Sequence, residues 1–210
     1  MATLRQLGAG IIEGVASQVA DFIAPDAAVR FAAAIGAPRT RIHEYFPILT
    51  MPDATLQKFR QNPPASDANL ELSPFLIETG QWHYQILRGD NPVGYAHAAQ
   101  RSANSQEVRG ISETGEAMAI SIAIRTIDSY PNTDNYEAAM LELPQVAVAA
   151  LVLLDKERTQ GSRICIFRAP TDQGVVPSRE LISAATFIRV IVEMRPVVGV
   201  NFGNPPPLAI

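Results

Sequence analysis

Two histidines have a spacing at which metal or proton chemistry is feasible. His83 and His97 fall on two predicted strands, Gln81–Leu87 and Val93–Gln100, which are joined by the turn-forming residues 88–92. If Leu87 pairs with Val93 in a hairpin, the imidazoles lie opposite each other with Cβ atoms about 5 Å apart, where they can share a metal or respond to pH. A zinc site needs more than two ligands, and no thiolate or carboxylate stands nearby at a ligand spacing. We therefore predict no metal, no cofactor and two partly exposed sheet residues.

Cys165 is the only cysteine, and it lies in a predicted strand between Ile164 and Ile166. Reactive thiols usually occupy helix N-termini or strand ends beside a base, so these apolar neighbours predict a buried structural cysteine instead. A single cysteine also excludes an intrachain disulfide. Residues 1–23 lack the basic segment and continuous apolar run of a signal peptide, and we predict a cytoplasmic protein.

Two carboxylates, Glu142 and Asp155, stand at the ends of predicted strands, where active sites occur. With the hairpin 81–100 they form the best available lining for a site dispersed in the sequence. The sequence contains no Walker loop, nucleophile elbow, zinc-type cysteine pair or EF-hand loop. We therefore assign no catalytic, cofactor-binding or metal-binding residue.

The composition favours protein partners over nucleic acid. Of the 210 residues, 18% are charged, where about 25% is typical, and the formal net charge is -4. A phosphate backbone is usually met by clustered basic residues, which this balance does not provide. Lys58 and Lys156 are the only lysines, and protein interfaces are likewise depleted in lysine and enriched in arginine. A genome-wide codon bias is an equally good explanation of that skew.

The N-terminal segment predicts an amphipathic helix that begins at Thr3, followed by a second helix over Asp26–Ile35. Gly8, Gly10 and Gly14 each cost the helix about 1 kcal/mol relative to alanine, so its order must come from packing. Its apolar stripe consists of Leu4, Leu7, Ile11, Val15, Val19 and Phe22.

The rest of the chain alternates between strands and helices. Residues 37–73 are rich in proline and read as loop except for a short helix at Asp53–Gln61. Further helices are predicted from Thr114 to just before Pro131, where length favours helix over an equally regular strand pattern, and at Ser178–Met194. Further strands are predicted at Val108–Ile111, Ala138–Leu143, Val146–Leu154 and Arg163–Arg168.

These elements predict an α+β fold, in which three to four helices pack on a central, mostly antiparallel sheet that contains the hairpin. We expect residues 1–36 to form a helical arm, residues 37–195 a single domain, and residues 196–210 an extended proline-rich tail. The longest uncharged apolar run, Pro144–Leu154, is shorter than the roughly 20 residues of a transmembrane helix, so no membrane span is predicted.

The predicted function is that of a non-enzymatic structural or scaffolding protein that self-associates through its two ends, with itself or possibly another protein as the partner. The interface residues are those of the N-terminal apolar stripe together with Phe202, Leu208 and Ile210 of the uncharged tail. Folding of both ends back onto their own core is the alternative geometry. The alternative function is a small enzyme or ligand-binding domain. A membrane-surface role for the first helix ranks last because its polar face lacks basic residues.

Overall fold

The predicted α+β class is confirmed by a computed structural model, which describes residues 3–4, 7–31, 40–66, 68–113, 115–170 and 180–197. Among these residues nine strands form a mixed, mostly antiparallel arrangement packed by four α-helices. The helices are α1 Ala9–Phe31, α2 Asp53–Gln61, α3 Gly115–Asp128 and α4 Ala184–Glu193. The strands are β1 Thr3–Leu4, β2 Thr40–Thr50, β3 Ile77–Arg88, β4 Asn91–Ser102, β5 Ser105–Glu113, β6 Tyr136–Leu143, β7 Val148–Asp155, β8 Arg163–Arg168 and β9 Ile182–Ser183.

Internal contacts divide the chain into two compact units. The first unit contains the described residues within 1–5, 46–79 and 119–202, and the second contains those within 6–45 and 80–118. None of the helices that the structure describes is long and apolar enough to span a membrane.

The first unit is organised around β6 and β7. These strands pair antiparallel from Tyr136 opposite Asp155 to Leu143 opposite Val148, and β8 then pairs antiparallel with β7. On its other side β6 pairs in parallel with β1 and with β2. Every residue of β7 from Val148 to Leu153 is buried, as its continuous apolar sequence predicts for a strand that is covered on both faces.

Helix α4 covers part of this core and begins later than predicted. The Ser183 hydroxyl accepts a hydrogen bond from the Thr186 amide at 3.1 Å, which is the interaction of an N-cap. Ser178, the predicted start, lies outside the described residues. Within the helix Phe187, Ile188 and Ile191 are fully buried in the first unit's core.

The second unit contains α1, the first residues of β2, and the antiparallel strands β3, β4 and β5, with α1 on one face of the sheet. Strands β3 and β4 form the predicted hairpin, and β5 pairs antiparallel with β4 on the outer side. Side chains of alternate residues on β3, β4 and β5 share one face of the sheet. That face and α1 bury a common cluster of Val15, Val19, Trp82, Tyr84, Ile86, Ala96, Ala98 and Val108.

The structure corrects two predictions near the N-terminus. Thr3 and Leu4 do not begin a helix, because they pair with Glu137 and Ala138 of β6 and their backbone groups are used there. The two predicted helices are one, since α1 runs from Ala9 to Phe31. No glycine lies between the predicted helices to supply a left-handed C-terminal cap.

The predicted loop 37–73 also contains an unpredicted strand, β2. These residues were predicted as loop because of their prolines. Pro47 nevertheless lies within the strand, and the next residues, Ile48 and Leu49, form the ladder to β6. A proline is tolerated in a strand where its missing N–H is not needed for pairing. The short helix α2 has the predicted bounds.

Candidate functional site

The described part of the predicted N-terminal interface packs mainly within its own chain. Val15 and Val19 are 0% and 4% exposed in the second unit's core, and Leu7 packs against the same cluster. The structure describes the backbone of Leu4 in β1 and that of Phe22 in α1, and Ile11 is half-buried. The tail residues Phe202, Leu208 and Ile210 lie outside the described residues, and their interface role stays a prediction.

The outward face of α1 is exposed and made of small side chains. The exposed residues of this face are mostly small: Ala9, Gly10, Gly14, Ser17 and Ala20. Glu13 is also exposed there and carries a charge. Apart from the helix's own backbone and the adjacent residues, a Cβ atom placed on Gly10 or Gly14 would meet no atom of the described residues within 4 Å. Because alanine is the better helix former, the packing of the described residues gives no reason for glycine at either position.

The side chain of Gln18 joins α1 to the edge strand β5. Its Nε2 donates to the carbonyl of Gln106 at 3.0 Å, and its Oε1 accepts from the amide of Val108 at 2.9 Å. The sequence did not predict this contact, because the residues around Gln18 do not indicate which backbone groups about 90 residues away its side chain will meet.

The two histidines lie directly opposite each other, as the hairpin predicts, with His83 paired to His97. They are not partly exposed, however, since they are 0% and 5% exposed. His83 Nδ1 lies 3.2 Å from His97 Nε2, and His83 Nε2 lies 3.5 Å from Gln85 Oε1. One ring nitrogen of the pair therefore donates to the other. Among the described residues no group of three or more potential ligands surrounds a metal position.

The start of α3 covers this histidine face of the sheet. The Gln85 side chain donates to the carbonyl of Ala117 at 2.9 Å, and the Tyr95 hydroxyl donates to Glu116 Oε2 at 2.6 Å. The Tyr95 ring lies 4.9 Å from that of His83 and 5.2 Å from that of His97. This polar cluster is packed and hydrogen-bonded, which suits a structural role in a buried location.

A cavity of about 260 Å³ lies in the first unit. Its lining combines apolar side chains with charged groups of both signs. Its lining consists of Pro47, Leu49, Ser73, Leu76, Glu78, Glu137, Ala139, Leu154, Asp155, Lys156 and Arg158.

Only part of the predicted dispersed lining is found at this cavity. Asp155 lines it, but Glu142 does not. Glu137 and Ala139 stand at odd positions of β6, and in a strand the even position of Glu142 points to the opposite face. The hairpin 81–100 belongs to the second unit. The structure therefore does not bring the predicted lining together at the cavity.

The loop after β7 holds Asp155 in a fixed environment. The Asp155 carboxylate accepts from the amides of Glu157 at 3.0 Å and Gly161 at 3.2 Å, and also from that of Gln160. Burial by itself raises the pKa of Asp155, but the backbone N–H groups of this loop outweigh it and hold the pKa below its usual value. The carboxylate thus serves first to shape the loop that supplies Lys156 and Arg158 to the cavity lining.

Glu71 ties the same loop to the segment before β3. Its Oε2 accepts from the Asp155 amide at 3.1 Å and from the Ser162 hydroxyl at 2.8 Å. Its Oε1 accepts from the amide and the hydroxyl of Ser73. The Ser162 hydroxyl also accepts from the Leu72 amide at 3.0 Å, so this serine is a buried structural group.

Cys165 is buried in β8 with an exposed fraction of 1%. Burial raises the pKa of its thiol to about 11, partly opposed by a hydrogen bond with Thr126. Since the thiolate is the nucleophile, a thiol with so high a pKa reacts slowly at neutral pH.

We expect Cys165→Ala to lower the free energy of unfolding by about 1 kcal/mol through lost packing, and to leave the oligomeric mass unchanged. Chemical denaturation and light scattering measure the two quantities. In the native protein a polar alkylating reagent should label the thiol at least tenfold more slowly than in urea-unfolded protein. Equal labelling rates in the two states would contradict a structural role.

Comparison with known proteins returns no family model, curated protein or solved structure that matches this chain.

Proposed function

We propose that this protein is a self-associating structural or scaffolding protein, and that the outward face of α1 is its main subunit contact. The observation that carries the proposal is that Gly10 and Gly14 stand exposed on a helix whose other face is already anchored in its own unit. Small residues four positions apart permit close helix approach, although the motif is weaker in water than in lipid.

The composition supports the same proposal. Protein interfaces are depleted in lysine, and the composition of this chain, with 18% charged residues and two lysines, has the same tendency. The packing of Val15 and Val19 changes their proposed role, since they anchor α1 in its own unit while the opposite face contacts a neighbour. The uncharged tail 198–210 is the second proposed contact.

Light scattering tests the proposal directly. We expect a stable multimer at micromolar concentration and a lower mass for the double variant Gly10→Gln, Gly14→Gln, because two long side chains prevent close helix approach. The monomer should be stabilised by about 0.5–1 kcal/mol per site, since glutamine is a good helix former and the space is open. The mass and the stability should therefore change in opposite directions.

Gly115→Gln is the matched control, because it adds the same side chain in equally open space at the start of α3. It should leave the mass unchanged. Truncation after Val197, whose amide donates to the Gln145 carbonyl at 2.9 Å, preserves the described contacts and tests the tail separately. A monomeric full-length protein, or a double variant with the full multimer mass, would refute the proposal.

The cavity of the first unit favours a second candidate, a small ligand-binding domain. Its volume of about 260 Å³ lies just below the range of roughly 300–1,000 Å³ that is usual for ligand sites, so any ligand would be small. Both signs of charge in its lining suit a small zwitterion or charged metabolite. A ligand of this kind would raise the melting temperature of the protein, and the rise would be lost in Lys156→Ala.

A further inference from the structure

The outer edge of a sheet is a template for pairing with another strand, and β5 is the edge strand beside β4. Its nine residues, Ser105–Glu113, pair with β4 on one side. A backbone N–H donates one well-aligned hydrogen bond. Because the Val108 amide donates to Gln18, it does not donate to β4. The outer edge of β5 is therefore held by the side chain of one glutamine.

The Gln18 carboxamide takes the place of a neighbouring strand. A paired strand would accept from the Val108 amide and donate to the Gln106 carbonyl, and these are the two bonds that Gln18 makes, at 2.9 and 3.0 Å. Natural proteins commonly protect sheet edges by covering them with a helix or loop. Here Val15 and Val19 hold α1 against the sheet, so that Gln18 reaches the edge.

The charges along β5 suit pairing with a second β5. Glu107 and Arg109 form an ion pair within the chain at 2.7 Å, and Glu107 also pairs with Arg101. Arg109 lies at a bulge in the ladder to β4, between Val108 and Gly110, which pair with Ala98 and His97. If two copies of β5 pair antiparallel about Val108, each Glu107 lies opposite the Arg109 of the other copy, and the contact is self-complementary. Two opposite-charge pairs would then form across the two-fold axis.

We propose that the edge of β5 is a strand-pairing surface for β5 of a second copy of this chain, and that Gln18 keeps it closed. This surface is distinct from the outward face of α1 and does not depend on it. Opening the edge requires the loss of the two hydrogen bonds that Gln18 makes with Gln106 and Val108. Strand addition then satisfies the same two backbone groups.

The test begins with Gln18→Ala, measured by sedimentation equilibrium in the background Gly10→Gln, Gly14→Gln, so that association through α1 does not contribute. We expect the dimer dissociation constant to fall at least tenfold relative to the same background with Gln18. Ser17→Ala, the neighbouring exposed residue of α1, is the control and should leave it unchanged. If Gln18→Ala folds poorly, Gln18→Glu takes its place. This variant keeps the acceptor for the Val108 amide but loses the donor to the Gln106 carbonyl, so the dissociation constant should fall by a smaller factor.

Charge exchange identifies the surface. Adding Glu107→Arg to Gln18→Ala places arginines opposite each other and should reverse the tenfold gain, whereas Glu107→Arg with Arg109→Glu restores opposite pairs and should restore it. A Gln18 variant that folds by circular dichroism but associates no more tightly would overturn the proposal. So would association that is insensitive to the charge exchange. Neither result bears on the α1 contact, because that contact is disabled throughout.

Discussion

Gly161→Ala should lower the free energy of unfolding by about 3 kcal/mol, near the top of the range for a strained backbone position. Gly161 has a φ of +71°, in the left-handed region that disfavours side chains. A Cβ atom there would also lie 2.9 Å from the Leu70 carbonyl oxygen and 3.0 Å from the Asn69 carbonyl carbon. Both are backbone atoms, which cannot rotate away as a side chain can.

Gly80→Ala provides the matched control for this prediction. Gly80 has nearly the same φ, +73°, but a Cβ atom there would meet nothing within 4 Å. It should therefore cost only the conformational strain, about 1 kcal/mol. Urea denaturation of both variants gives the difference, which isolates the contact with residues 69 and 70. Equal losses in the two variants would show that the close approach does not matter.

The consequence of Gly161→Ala reaches the cavity, because the affected contact holds the loop that lines it. The Ser162 amide donates to the Leu70 carbonyl at 2.8 Å, next to the position where the added methyl would stand. If the loop shifts, Lys156 and Arg158 move from the cavity lining. The variant therefore also tests whether ligand binding at the cavity depends on the loop.

The elements that the sequence predicts correctly carry their own local signal. The hairpin was predicted from two alternating segments and a turn. Leu87 pairs with Pro92 rather than with Val93, but a register shift between Ile86 and Leu87 leaves His83 opposite His97 as predicted. Helix α3 was predicted from its length although its residues also alternate with period two. Strand β8 has the predicted bounds, Arg163–Arg168, because β-branched residues and flanking polar segments mark it.

The elements that were missed depend on distant partners. β1 is two residues long and exists because Thr3 and Leu4 pair with β6, more than 130 residues later. β2 contains a proline, which locally favours a turn. The burial of both histidines was missed for the same reason, since the first residues of α3 pack on their face of the sheet and this placement cannot be inferred from the hairpin.

The candidate contacts are less predictable still. Gln18 and Glu71 are polar residues in unremarkable local sequence, and each acquires its role from backbone groups 84 to 90 residues away. Position along the chain does not determine which polar side chain meets an edge strand or a loop. By contrast, the glycines of α1 are visible in the sequence, and the structure adds that their Cβ positions are open.

Asp155→Asn should destabilise the protein at neutral pH by about 1–3 kcal/mol, the cost of leaving buried hydrogen-bonding groups unsatisfied. Asp155 is 3% exposed, and its two carboxylate oxygens accept from amides of its own loop. An asparagine has one acceptor oxygen, so its NH₂ group must face a backbone N–H donor. The Glu71 side chain still accepts from the amide of residue 155, so the fold should be retained.

The loss should depend on pH with a defined sign. Burial raises the pKa of Asp155, but the hydrogen bonds from the loop amides lower it by more than burial raises it. The folded-state pKa therefore lies below the unfolded value of about 3.9. The stabilisation is fully present above the unfolded value, and it disappears as the pH falls through the folded-state pKa. The difference in unfolding free energy between wild type and Asp155→Asn should therefore be constant from pH 7 to about 5 and shrink below about 4.

Asp90→Asn is the control for this pH dependence. Its side chain is 99% exposed and contacts Arg41 at 3.2 Å on the surface, where an ion pair contributes little to stability. Its unfolding free energy should follow that of the wild type within about 0.5 kcal/mol at every pH. If the gap between wild type and Asp155→Asn keeps its size down to pH 3, the carboxylate is not held ionised by the loop amides. The loop would then owe its shape to the Glu71 contacts and to Gly161.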